Sequence, residues 1–506
     1  MSRTSNSLRN AGSSMLNQLV TALLRFACRT AFIHTLGKEF LGISGLYTNV
    51  ITILSITELG FSTVITHSLY EPLAKEDWDT VRSLMDFYKK VYRLVGLAVL
   101  ALGLGLMPFL PKLMTGVTDK VNIYHYYILY LSQTVVSYLF FAYKSALLIA
   151  DQKKYLVDLA ATVCHTAVCI AQIAVLAVLR SFLVYTLLGI AQGIVQNITV
   201  AVVTDRRYLC LKETAKPLTR EQKTPLFHGV YAMFLQKIST AVGTATDNLI
   251  ISACVSITAV GLYSNYALIV STVQSILGNL FRSLTASLGN LNATEGKQRS
   301  ALVFRSLNLA NSYLVCLCGV CFLTMLRPFI TLWAGESYLL ENATVVIIVL
   351  NFATNYLQNV VQIYRTATGL FVVGKYRSVI NAALNLGLSL IFVRPWGMAG
   401  VFLGSIVSRL VTVWWFDGWV ICRRGLGIAP WGYYGSCALS ILVMLLSSAV
   451  PRILFSDLPV SWMTLILQGT VGAAVCTLVY GVLFADSEPM RYLLRQLRGL
   501  RKNGRA

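Results

Sequence analysis

The sequence predicts an all-α polytopic membrane protein of about 14 transmembrane helices, built as two six-helix lobes followed by two extra C-terminal helices. Three observations carry that expectation. Of 506 residues, 56% are hydrophobic and only 12% charged, and the mean hydropathy is +0.66, more apolar surface than a soluble core of this length needs. The apolar residues fall into long continuous stretches that reach the roughly 20 residues a helix needs to cross bilayer hydrocarbon. Finally, the chain repeats itself. Gly45-Leu-Tyr-Thr-Asn49 returns as Gly261-Leu-Tyr-Ser-Asn265, and Tyr143-Lys-Ser-Ala146 as Tyr364-Arg-Thr-Ala367, at offsets of 216 and 221 positions. The second pair extends to Lys154-Tyr155 and Lys375-Tyr376, so a membrane bundle has been duplicated.

In chain order the apolar stretches lie near 11–36, 40–67, 93–114, 123–149, 156–178 and 182–204, then 226–252, 257–286, 303–334, 343–366, 376–394 and 397–421, and finally 432–451 and 461–485. The repeat places the first six in an N-terminal lobe, 1–210, and the next six in a C-terminal lobe, 226–425, joined by a basic cytoplasmic loop, 211–225. Spans thirteen and fourteen occupy 426–486, and a basic tail runs over 487–506. A transmembrane β-barrel would need short alternating segments, which the sequence lacks. The first stretch follows Arg3 and Arg9 but contains Arg25 and Arg29, runs long and lacks a small-residue cleavage site, so it reads as a span and not as a signal peptide. The prolines, such as Pro72, Pro108, Pro111, Pro328, Pro395 and Pro430, sit in loops or near span ends, which predicts few sharply broken helices. Gly400 and Gly404 in span twelve permit close helix approach, an ordinary packing feature.

The net charge of +21 would suggest nucleic acid in a soluble protein, but its distribution decides otherwise. With the N-terminus inside, outer loops hold only Lys38, Lys112, Lys120, Arg180, Arg327, Arg394 and Arg452 of the 42 Lys and Arg residues. Inner loops hold most of the rest, including Lys89, Lys90, Arg206, Arg207 and the tail's Arg491, Arg495 and Arg498. Both termini are therefore expected in the cytoplasm, with anionic membrane lipids rather than nucleic acid as the partner of the basic surface.

No enzyme constellation is visible. The cysteines, Cys28, Cys164, Cys169, Cys254 and Cys476 among them, lie in apolar spans as small packing residues and imply no disulfide framework. Cys316, Cys318 and Cys321 share one helix without a second ligand pair, and the histidines are dispersed, so no metal is expected. Gly369 to Lys375 matches the start of a phosphate-binding loop. Tyr376 stands where the Mg²⁺-binding hydroxyl residue belongs and no strand precedes it, so no nucleotide cofactor is expected.

The run Leu36-Gly-Lys-Glu-Phe-Leu-Gly-Ile-Ser-Gly-Leu-Tyr-Thr-Asn49, then Thr57-Glu-Leu-Gly60, Ser68-Leu-Tyr-Glu-Pro-Leu73 and Phe87-Tyr-Lys-Lys90, resembles the polysaccharide-transporter branch of the multidrug/oligosaccharidyl-lipid/polysaccharide (MOP) exporter superfamily. So does Thr368-Gly-Leu-Phe-Val-Val-Gly-Lys-Tyr-Arg377 with Asn381, Asn385 and Ser389. The resemblance covers nearly the whole chain. It implies a MOP-exporter-like pair of six-helix bundles around a central cavity, and a Wzx-type flippase in a bacterial plasma membrane. Such flippases move undecaprenyl-pyrophosphate-linked oligosaccharides from the inner to the outer leaflet for cell-surface polysaccharide. A polysaccharide polymerase and glycosyltransferases would be further partners.

Against that expectation, the basic residues well inside spans gain a role. A charge at the bilayer centre costs at least about 2.5 kcal/mol, so Arg25, Arg29, Lys237 and Arg409 should face protein or water. Arg25 and Arg29 share a helix face, and Lys237 lies on the span-seven counterpart of span one, so a cationic cavity for a pyrophosphate is expected. The same residues also fit internal pairing: Arg29 with Glu58, Lys237 with Asp247, Arg409 with Asp417. Glu58 and Asp247 are the main acidic candidates, either as ion-pair partners or as carriers of a coupling proton. On span ten, Asn351, Asn355 and Asn359 recur at i, i+4 and i+8, with Gln358, Gln362 and Arg365 nearby; Asn381 and Asn385 follow on span eleven, and Gln192 and Gln196 lie on span six. Such stripes suit sugar hydroxyls or interhelical bonds. Two other functions compete with the oligosaccharide flippase: a lipid II flippase with the same cavity physics, and a drug or cation antiporter, which would favour carboxylates in its cavity.

Overall fold

The computed structural model describes residues 3–55, 61–114, 122–214, 216–219, 222–224, 226, 230, 246–282, 288, 296–368, 370, 373–374 and 376–503. The described residues are helical and include no strand. Ten helices among them are long and apolar enough to cross a membrane, eleven if Ile123–Leu139 and Ala142–Ala150 form one bent span. Expected span seven, 226–252, lies mostly outside the described residues. The chain forms two compact units, Met1–Gly261 and Leu262–Ala506, so the expected inter-lobe loop at 211–225 falls inside the first.

In the first unit, α1 (Arg3–Leu54) is two helical arms interrupted at Gly37, whose φ of 79° and ψ of −175° only glycine adopts readily. That break separates expected spans one and two. Next come α2 (Phe61–Ala74) and α3 (Trp78–Leu106). Asp77 caps α3 by accepting from the Thr80 N–H at 3.0 Å, and the Thr80 hydroxyl and N–H together hold its carboxyl below the usual range. Then follow α4 (Ile123–Leu139), α5 (Ser145–Ala150), α6 (Lys154–Val178) and α7 (Phe182–Arg207). The first arm of α1 lies along α6, α6 along α7, and α4 packs between α3 and α7. The buried Tyr47 hydroxyl ties α1 to the start of α4 by donating to the Ile123 carbonyl at 2.6 Å.

Span four is sharply bent, by 49°, with no proline at the bend; Phe141, at φ 61°, makes the turn instead. One expectation is corrected. Cys28 and Cys169 are not separate packing residues but a disulfide between α1 and α6, with Cα atoms 6.3 Å apart. The two helices run side by side, which brings positions distant in sequence within bonding reach.

The second arm of α1 also meets the first turn of α8 (Ile257–Arg282) within the first unit. A Cβ at Gly42 would overlap the Ile257 carbonyl oxygen, and one at Gly261 would overlap the Lys38 carbonyl oxygen. Gly261 opens the second copy of the motif that Gly45 opens in the first, so one repeat glycine serves a backbone-to-backbone approach.

In the second unit, α9 (Lys297–Ala334) is the central helix. Against it pack α10 (Asn342–Tyr356), α14 (Trp431–Leu454), α15 (Trp462–Phe484) and the tail helix α16 (Glu488–Asn503). Between α10 and α14 lie α11 (Asn359–Ala367), α12 (Arg377–Arg409) and α13 (Trp415–Val420). Like α1, α12 comprises two arms, broken at Gly397 with φ 52°, the joint between expected spans eleven and twelve. Gly400 and Gly404 bring the second arm close against Phe392 and Ser389 of the first. Span twelve then passes through two π-helical turns, Leu410–Trp414 and Ile421–Leu426, on either side of α13.

Candidate functional site

The span-ten amide stripe is the starting point, because asparagines four apart project along one line of a helix. The helix is interrupted at Leu357 and Gln358, and its polar residues divide between two tasks. Asn351 is tied to α12: Arg409 Nη1 donates to the Asn351 side-chain oxygen at 3.0 Å, to its carbonyl at 3.2 Å and to Thr354 Oγ1 at 3.1 Å. Asn355, Asn359, Gln362 and Thr366 instead line a cavity of about 560 Å³, walled also by Gly278, Tyr356 and Ile363. Asn359 Nδ2 is buried with no hydrogen-bond partner among the described residues, a donor left for something that enters.

Behind this groove lies an ion cluster. Gln362, on the groove wall, donates from Nε2 to Asp417 at 2.7 Å. Asp417 is fully buried and is met by Arg365 and by Arg377, whose Nε lies 2.5 Å and Nη2 3.1 Å from its oxygens. Arg365, 1% exposed, also donates from Nη2 to the carbonyls of Leu370 at 3.0 Å and Val373 at 2.8 Å. Those carbonyls belong to the Thr368-to-Arg377 segment, so one guanidinium ties the end of α11, the following turn and α13 together. Two guanidiniums against one carboxylate leave an excess positive charge behind the amide-lined wall. The π turns around α13 fall where Asp417 must point inward, and such turns insert an extra residue that re-aims side chains.

The first unit has a related pair. Lys144, the repeat counterpart of Arg365, lies 2.6 Å from Asp205 Oδ1 and stacks 4.9 Å from the Phe141 ring centroid. Asp205 is near the end of span six, as Asp417 is in span twelve.

The remaining sequence candidates are placed as follows. Arg25 is exposed, and Arg29 is half-buried within electrostatic reach of the Tyr130 and Tyr185 phenols. Asp247 is buried. Lys237 and Glu58 lie outside the described residues. Asn385 donates to Ser405 Oγ at 2.7 Å between the two arms of α12, both side chains buried, and Asn381 accepts from Thr412 at 2.9 Å; neither borders the groove. Arg365 and Arg377 were visible only as a polar neighbour and a motif end. For Arg365 the signal that could have singled it out is the repeat, which sets a cation, Lys144, at the same place in the first copy; Arg377 aligns with Leu156 and carries no such signal.

Comparison with known proteins adds three findings. A family model of polysaccharide biosynthesis proteins matches residues 7–284, more than half of the chain. A comparison with curated proteins finds no match. Among solved structures, the chain is similar to the lipid II flippase MurJ in an inward closed conformation, at 13% identity and TM-score 0.68, covering 94% of this chain and 99% of that one. It is also similar to an inward-facing multidrug resistance MATE transporter of the MOP superfamily, at 11% identity and TM-score 0.62, covering 85% and 95%. A mutant MATE transporter of Vibrio cholerae gives 15% identity and TM-score 0.55, covering 87% and 98%. At these identities the likeness establishes a shared fold.

Proposed function

Since the chain belongs to the polysaccharide biosynthesis family, we propose that it is a membrane flippase of the MOP superfamily, not an enzyme, and that its cargo is a polyprenyl-pyrophosphate-linked oligosaccharide. It would carry undecaprenyl-linked units from the inner to the outer leaflet of a bacterial plasma membrane by alternating access.

The observation that carries this reading is the groove of Asn355, Asn359, Gln362 and Thr366, backed by the Arg365–Arg377–Asp417 cluster. Amides donate and accept at once, which suits sugar hydroxyls, and the positive charge behind them favours an anionic carrier. Arg25 and Arg29 on α1 are proposed to take the pyrophosphate, because guanidinium forks bind phosphate oxygens in pairs. An inside-negative potential would favour outward movement of the headgroup by about 2.3 kcal/mol per charge per 100 mV.

The test is transfer of defined pyrophosphate-linked glycans across liposomes holding the purified protein, with voltage and pH gradients imposed separately. Leaflet transfer that Asn355→Leu/Asn359→Leu slows by about tenfold, the effect of losing one or two good hydrogen bonds, is the expected result. No transfer of any such glycan overturns the assignment. The second reading, a lipid II flippase, draws on the near-complete overlap with a protein of that name, and lipid II transfer in the same liposomes would select it.

A further inference from the structure

We propose that the second unit carries a separate site for an anionic glycerophospholipid headgroup with free hydroxyls, the chemistry of phosphatidylglycerol. It is a pocket of about 240 Å³ between the start of α9, the start of α14 and the turn from α15 into α16. Arg305 is exposed on its rim and has neither a hydrogen bond nor an ion pair among the described residues. Asn308, one turn further along α9 and 4% exposed, lines the same pocket with a buried Oδ1 that has no hydrogen-bond partner among the described residues. An unpaired guanidinium calls for an anion, and an unpaired amide oxygen calls for an N–H or O–H donor. Positions i and i+3 are separated by about 4.5 Å along a helix, a spacing that a phosphate and a neighbouring glycerol hydroxyl can bridge. Phe304, Leu309 and Phe484 supply an apolar wall for the start of the acyl chains.

The surroundings favour a lipid over a soluble phosphate. The pocket wall continues through Ser487 and Pro489 into α16, which places Met490, Leu493 and Leu494 at helical spacing on one side and Arg491 and Arg495 among the remaining positions. A basic amphipathic helix of this kind lies in the plane of a membrane surface. Arg423 and Arg424 are exposed just before α14, and Trp431 at its first position is 76% exposed, as interfacial tryptophans are.

The experiment measures binding of phosphatidylglycerol and phosphatidylcholine with matched short acyl chains to the purified full-length protein. Salt is kept high so that diffuse attraction to the basic tail is screened. The wild type should prefer phosphatidylglycerol by about tenfold, the size of one charge-assisted hydrogen bond, and Arg305→Gln should abolish most of that preference while Arg305→Lys retains part of it. Asn308→Leu, which also fills the pocket, should weaken phosphatidylglycerol binding further. Equal binding of the two lipids by the wild type, or an unchanged preference in Arg305→Gln, overturns the proposal. Displacement of the lipid by equimolar inorganic phosphate also overturns it, in favour of a free-phosphate site. Arg305 is exposed, so its variants keep the test open if Asn308→Leu misfolds. The readout is binding, so it stands or falls apart from transport.

Discussion

Lys144 and Arg365 occupy the same place in the internal repeat, and each meets a carboxylate from the sixth span of its own half, Asp205 and Asp417. The two pairs differ in burial. Arg365 and Asp417 have side chains 2% and 0% exposed, whereas Asp205 is 40% exposed. In one unit the pair anchors a turn deep in protein. In the other it sits where water reaches it.

Removing Asp417 should therefore be costly. Asp417→Ala leaves two guanidiniums without their carboxylate, and a loss of about 3–5 kcal/mol is expected, seen as a lowered Tm in detergent. Arg365→Ala should cost a similar amount, and the double variant less than the two losses added. Strict additivity would mean the residues do not act as a unit.

Lys144→Ala should cost much less, about 0.2–1 kcal/mol, because Asp205 is partly solvated and stays so without its partner. A Tm drop as large as that of Asp417→Ala would contradict this account of the two pairs.

Arg25→Ala and Arg29→Ala are expected to abolish surface polysaccharide while membrane insertion persists, each checked by glycan staining and by protein level. Arg25 is exposed, and Arg29 is half-buried near the Tyr130 and Tyr185 phenols. Normal export from both variants would remove them from the pyrophosphate site.

Gly42→Leu or Gly261→Leu should destabilise the first unit by about 1–3 kcal/mol or more, since the side chain must displace backbone rather than a flexible neighbour. Expression yield and Tm report it. Gly105→Leu, at a position with open space around its Cβ, is the control and should change little.

The helices were legible because twenty apolar residues in a row have few alternatives in a bilayer, and the joints at Gly37 and Gly397 fall between stretches already separate in sequence. Asn355 and Asn359 were legible as groove-lining candidates from their spacing of four. The bend at Phe141 was not, because a non-glycine residue at positive φ without proline leaves no mark in composition. Nor was the Cys28–Cys169 link, which depends on α1 lying against α6 in one register. Asp417 looked like a partner for Arg409 eight positions away; it is met by Arg365 and Arg377, and Arg409 reaches back to Asn351 and Thr354.

By itself, the sequence determined that this chain is a duplicated helical membrane protein of the polysaccharide biosynthesis family, since apolar run length, charge asymmetry and local motifs are properties of neighbouring residues. Only the tertiary structure decided which amides line a groove and which tie helices together, and which arginines share a single carboxylate. Those outcomes depend on the rotation of each helix about its axis and on the turns that re-aim it. Packing across the whole unit sets both, and no short stretch of sequence contains them.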